Sequence, residues 1–156
     1  MKFRTAAPIV LVAAVTLASV AAAGPTATKQ RVAINMKFHT KTFVLTTLAA
    51  GALKRDSGTM VGVGDGACRN VIRDGLKSAL CTETWTLTGK RGTFTTRGPV
   101  EWRDGGSPNS CGVAFGSWKV VGGKGEYAGI TGGGRSAYDA HCSEWYARYE
   151  GFLTTR

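Results

Sequence analysis

Acidic residues are few in this chain and prolines fewer: 10 aspartates and glutamates stand against 20 lysines and arginines, and 4 prolines against 22 glycines. The shortage of acid leaves a net charge of +10, and a field of that sign attracts anionic surfaces such as nucleic acid, acidic polysaccharide or anionic lipid. Basic runs are also missing. The adjacent pairs are only Lys54-Arg55 and Lys90-Arg91, and other positive residues are scattered singly, as at Arg69, Arg73 and Lys77. A nucleic-acid footprint needs a clustered basic patch or stripe, so nucleic acid is not an expected partner. An anionic envelope polymer remains one, beside the plainer reading of a solvated basic surface.

Several chemistries are excluded in the same way. There is no G-x-S-x-G elbow, no H-E-x-x-H helix and no phosphate loop, which removes the common hydrolase, metalloprotease and nucleotide routes. The two histidines, His39 and His141, have no carboxylate or cysteine constellation near them and read as surface positions. The four cysteines contain no C-x₂₋₄-C pair, the spacing that zinc sites use. Neither metal nor cofactor is implied.

The N-terminus has the three parts of an export signal. Lys2 and Arg4 precede an apolar run from Ile9 to Val20, broken by Thr16 and Ser19, and Ala21-Ala22-Ala23 supplies the small residues that signal peptidase needs. Cleavage is expected before Gly24, making 1–23 a signal peptide and 24–156 a secreted domain of net charge +8. The alternative is an uncleaved anchor, but the run is short of the ~20 apolar residues of a spanning helix. No lipobox cysteine follows it, and Phe43 to Leu53 is too short for a later span. An exported chain favours disulfides over thiolate ligands.

Abundant glycine between aromatic and β-branched residues, with no capped 3.6-residue apolar period, predicts an all-β domain. Val32, Ile34, Met36 and Phe38 alternate with polar or small residues, the period of a half-buried strand. Further strands are expected at Thr42–Thr47, Thr59–Val63, Thr93–Arg97, Val113–Val121, Arg135–His141 and Trp145–Leu153, with Gly89-Lys90-Arg91-Gly92 as a turn. Pro99 is expected to end or edge its strand, with resumption at Val100–Trp102 as the alternative. Eight or nine strands in one domain point to a closed antiparallel barrel of about eight strands, with a sandwich as the alternative.

Asp74-Gly75 is a favoured two-residue hairpin loop. If it is the loop, Arg73 faces Leu76 and Cys68 falls directly opposite Cys81. That pair is non-hydrogen-bonded, with an expected Cα separation of ~4.5 Å, which a disulfide accepts. Cys111 and Cys142 remain for a second bridge.

From Gly116 to Gly134 the chain reads Gly-Ser-Trp-Lys-Val-Val-Gly-Gly-Lys-Gly-Glu-Tyr-Ala-Gly-Ile-Thr-Gly-Gly-Gly. Gly122, Gly123 and Gly125 are expected to supply positive φ in a tight reversal. Gly129, Gly132 and Gly134 are expected to pass closely against neighbours, on the ring of Tyr127. This run resembles the strand–turn–strand signature of the allene oxide cyclase and dirigent-like β-barrels. The mature chain, through Asp56-Ser57-Gly58-Thr59, Leu87-Thr88-Gly89-Lys90-Arg91-Gly92-Thr93 and Glu150-Gly151-Phe152-Leu153, is also similar to a group of exported actinobacterial proteins. The resemblance implies the barrel and its location. No segment matches the cyclase's catalytic strands, so no catalytic residue is carried over.

Glu83 is the most informative single residue. It shares a strand face with Ala79, Cys81, Trp85 and Leu87. If that face is the interior, Glu83 is a carboxylate inside the barrel; if Thr82, Thr84 and Thr86 face inward instead, it lies on the surface. Glu150 is a second candidate acid, and Trp85, Trp118, Tyr127 and Tyr149 are candidate ligand-lining rings, although in a barrel most such rings are core. Three functions follow in order: a secreted barrel holding a small apolar or amphipathic molecule, a cyclase or isomerase using Glu83 or Glu150, and a structural or adhesive protein on an anionic envelope. The missing catalytic sets put the binding protein before the enzyme.

Overall fold

The computed structural model describes residues 27–64, 68–73, 75–103, 112–141 and 144–155. The expected signal peptide 1–23, Asp74 and both cysteines of the second expected bridge, Cys111 and Cys142, lie outside the described residues. The described chain is all strand and turn: β1 (Thr28–Lys37), β2 (Thr42–Thr47), β3 (Asp56–Gly64), β4 (Arg69–Arg73), β5 (Leu76–Gly89), β6 (Gly92–Arg103), β7 (Gly112–Gly125), β8 (Thr131–His141) and β9 (Glu144–Thr155). Eight strands close a ring in the order β3-β2-β1-β9-β8-β7-β6-β5, with β5 pairing back onto β3. Each neighbouring pair in the ring is antiparallel. The fold is therefore a closed barrel and not a sandwich. β4 stands outside the ring, paired to the part of β5 that extends past β3.

Alternation decides which residues fill the ring. On β1, Gln30, Val32, Ile34 and Met36 are buried while Lys29, Arg31, Asn35 and Lys37 are exposed. Phe43, Leu45, Leu87, Phe94 and Leu153 join them, each no more than 1% exposed. Burial of such side chains contributes about 1.5–3 kcal/mol each, and it is what fixes the register, since a one-residue slip would turn a strand's apolar set outward.

The hairpin behaves as its turn dictates. Arg73 faces Leu76 and Arg69 faces Leu80, Gly75 has φ 76°, and Cys68 is bonded to Cys81 with Cα atoms 4.2 Å apart. Outside the ring, Glu101 on β6 accepts hydrogen bonds from Arg73 at 3.2 Å and Arg103 at 2.9 Å, which ties β4 to the barrel wall.

Two expectations are corrected. Pro99 neither ends nor edges its strand: β6 runs through it, opposite Thr82 of β5. The closed ring gives β6 a partner on each side, and the missing N–H falls where the β6–β7 pairing is interrupted between Arg97↔Lys119 and Val100↔Gly116. In the reversal between β7 and β8 the positive φ is at Gly125 (68°) and Gly129 (71°), not at Gly122 or Gly123, and Gly132 in β8 has φ 150°. β7 extends as strand to Gly125, so the reversal begins later and its left-handed positions flank Glu126, Tyr127 and Ala128.

The antiparallel ring has two distinct ends. At one, Asp56, Gly89, Gly92, Gly125 and Tyr127 come together; we call it the Asp56 end. Gln30 ties the 48–55 connection down there, donating from Nε2 to the Ala49 and Leu53 carbonyls at 2.7 and 3.1 Å and accepting from the Leu53 N–H at 2.9 Å. At the other lie the β1–β2 turn and the facing ends of β3 and β6; we call it the Glu83 end.

Candidate functional site at the Glu83 end

Leu87 is fully buried and Cys81 9% exposed, so the side of β5 they share with Glu83 and Trp85 faces inward. The opposite side carries Thr86, whose hydroxyl lies 3.1 Å from that of Thr95 on the neighbouring strand. The threonine-lined interior is thereby overturned.

A carboxylate among apolar residues needs donors, because burial without them costs several kcal/mol. Glu83 receives three: the Trp85 indole N–H at 3.0 Å, the Trp102 indole N–H at 2.9 Å and the Tyr138 hydroxyl at 3.0 Å. Trp102 donates to Oε1, while Trp85 and Tyr138 both donate to Oε2. Behind Tyr138 stands Tyr149, with the two hydroxyls 2.5 Å apart. Burial first, then the neighbouring Tyr149 and the Glu83 charge, hold the Tyr138 hydroxyl well above the usual tyrosine range. Burial also raises Tyr149, against a lowering contribution from its bond to Tyr138. Both phenols therefore stay protonated and available as donors.

Aromatic rings surround this carboxylate. Phe38 meets Trp85 edge-on at 4.9 Å, and Trp102 lies 5.3 Å from Tyr138 and 5.1 Å from Trp145. Trp85 finds room because its partner across the β3–β5 ladder is Gly62: a Cβ there would stand 2.1 Å from the indole.

Two clefts open beside the cluster, each walled by one of the indoles that hold Glu83. One, of about 260 Å³, lies between Phe38, Met60, Gly62 and Trp85, with Lys41 at its rim. The other, of about 570 Å³, is lined by Val71 and Ile72 of β4, Ser78 and Ala79 of β5 and Trp102 of β6, with Lys77 at its rim. The Ser78 hydroxyl is buried with no hydrogen-bond partner among the described residues.

The other candidates fall elsewhere. Trp118 is 4% exposed, stacks on Tyr149 with ring centres 5.7 Å apart and donates its N–H to the Arg135 carbonyl; it is core. Tyr127 is buried at the opposite end, donating to Asp56 at 2.8 Å. Glu150 points outward and pairs with Arg148 at 2.7 Å and Arg31 at 3.9 Å, so it is removed as an interior acid. His39 is exposed, and no group of three or more potential metal ligands occurs among the described residues. Trp85 and Tyr149 lie in the cluster around Glu83, Trp85 by its bond to the carboxylate and Tyr149 through Tyr138. Phe38, Trp102, Tyr138 and Trp145 are its members that sequence reasoning missed.

Trp102 was within reach of that reasoning. The Gly89–Gly92 turn sets Thr88 against Thr93 and hence Ala79 against Trp102, which puts Trp102 on the Glu83 side of the sheet. Tyr138 had no such signal, since its partner strand β7 is bulged between Thr95 and Thr96 of β6 and the face of β8 cannot be counted through it. No family model, curated protein or solved structure matches this chain.

Proposed function

We propose that this chain is an exported barrel that binds a small amphipathic molecule at the Glu83 end. The observation that supports the reading best is the half-buried carboxylate, held among the described residues by side-chain donors, between two apolar clefts. A polar group of the ligand meets Glu83, and its apolar part lies against Trp85 or Trp102. Binding sites have this composition, mostly apolar walls with a few placed polar groups. The middle of the barrel is packed with Ile34, Phe43, Leu45, Leu87 and Phe94, so the ligand is held at the end and not enclosed at the centre. Export rests on the sequence of residues 1–23, and the Cys68–Cys81 disulfide is compatible with it.

Native mass spectrometry of the purified protein tests the binding reading. A discrete bound mass that is lost in Trp102→Ala supports it. The reading falls if no adduct is present and added octyl-chain amphiphiles leave the tryptophan fluorescence unchanged.

A second reading, an isomerase or cyclase of the allene oxide cyclase kind, draws on the same residue: an acid among aromatic rings, backed by two neutral phenols. Turnover of an epoxide or polyene substrate that stops in Glu83→Gln distinguishes it from simple binding.

A further inference from the structure

Resting on the binding site proposed above, we infer that the ligand's polar end is an alkylammonium ion, seated against Glu83 within the ring cluster. Three observations lead there. First, the groups that donate to Glu83 are two indoles and a phenol. All three are neutral, so among the described residues the carboxylate's donors satisfy its geometry without balancing its charge. An ionised carboxyl group offers about four acceptor directions. Three are used, with Oε1 taking one bond and Oε2 two. The direction left on Oε1 suits an N–H donor, and a charged one forms the stronger bond.

Second, the rings around this oxygen are of the kind that stabilise cations by their faces. Trp102 packs at 5.1 Å on half-exposed Trp145 and at 5.3 Å on Tyr138, while Trp85 packs at 4.9 Å on Phe38. An ammonium group gains from such faces most when it is partly desolvated. An anion gains nothing from them and meets a carboxylate.

Third, the long-range field separates this site from general attraction. The exported domain, residues 24–156, carries +8, and Lys41 and Lys77 stand at the rims of the two clefts. Cations are therefore repelled at a distance, and any preference for them must come from Glu83 and its rings at contact range. Anionic amphiphiles would be drawn to the rim lysines instead. This rivalry makes the inference testable.

The test uses three probes of equal chain length, octylammonium, octanoate and octyl glucoside, titrated by calorimetry and tryptophan fluorescence at neutral pH. Octylammonium is expected to bind about tenfold or more tighter than the other two. That preference should vanish in Glu83→Gln and grow in Lys41→Ala and Lys77→Ala. Added salt, which screens the repulsive field over about 10 Å at 0.1 M, should not weaken the binding. In the unaltered protein, NMR should show contacts between the probe's α-methylene protons and the indole N–H protons of Trp85 and Trp102, so the result does not depend on a variant folding.

Tighter binding of octanoate or octyl glucoside, with the same indole contacts, would overturn the ammonium assignment and leave the site standing. A cation preference undiminished in a folded Glu83→Gln would remove Glu83 from the role. Binding of none of the three would overturn this inference and the site together.

Discussion

The two ends of the barrel each hold an inward carboxylate bonded to a tyrosine, and they differ in what else donates. Asp56 accepts from the Tyr127 hydroxyl at 2.8 Å and from the backbone N–H groups of Ser57, Lys90 and Arg91 at 2.8, 3.1 and 3.3 Å. Glu83 accepts from side chains. Backbone donors belong to turns that cannot move without unravelling strands, so the Asp56 end is a clasp joining the β2–β3, β5–β6 and β7–β8 connections. Side-chain donors can rotate about their χ angles, so the contacts at the Glu83 end can change while the barrel stays intact. The same chemistry is thus structural at one end and adaptable at the other.

Removing the clasp should give the largest effect. Asp56→Ala leaves a buried phenol and backbone N–H groups without their acceptor, each at a cost of about 1–3 kcal/mol, so a loss of about 3 kcal/mol or more is expected in urea unfolding. The pH dependence sharpens the point. Burial raises the Asp56 carboxyl, but the bonds from Tyr127, Ser57, Arg91 and Lys90 outweigh it and hold the group below its ordinary value of 3.8. A depressed native pKa stabilises the fold above the unfolded value, and that stability is lost as the pH falls through 3.8 toward the native one. Acid unfolding of Asp56→Asn, set against the unaltered protein, should lack this limb.

Next in size is Gly125→Val, at φ 68° beside the Asp56 end. A β-branched residue in that region costs on the order of 1–3 kcal/mol, and an unchanged melting temperature would refute the strain. Glu83→Gln should be milder, about 1 kcal/mol for one mismatched indole donor, because its donors can turn to other partners. Loss of more stability here than in Asp56→Ala would break the comparison between the ends. Smallest is Glu150→Gln: its pairs with Arg148 and Arg31 are exposed, and such pairs contribute between about 0 and 1 kcal/mol, so the midpoint should barely move.

The sequence carried the fold through local signals. Asp74-Gly75 set the register that brings Cys68 to Cys81, and simple alternation placed the β1 core. The four-residue turn after Thr88 contained the position of Trp102. Long-range pairing was less legible. Nothing local announces that β3 joins β5 across the intervening β4, or that Phe38, from the β1–β2 turn, packs on Trp85. Asp56 read as part of a turn motif, while its role depends on Tyr127, 71 residues away. Glu83 was legible as a question about strand faces, and only the closed ring answered it.

The seam of the ring is the pairing of β1 with β9, which runs from Thr28↔Thr155 to Lys37↔Tyr146. Every other contact in the ring joins strands that follow one another or are separated by one strand. A growing chain can therefore assemble the meander from β1 to β8 in order, but the cylinder stays open until the last strand arrives. Until then the free edges of β1 and β8 offer unpaired N–H and C=O groups, the template by which sheets join one another. Closing a contact over so long a loop also slows folding. The interval before β9 docks is thus the period in which this protein is most exposed to aggregation, and a chain shortened before Glu144 would remain in it permanently.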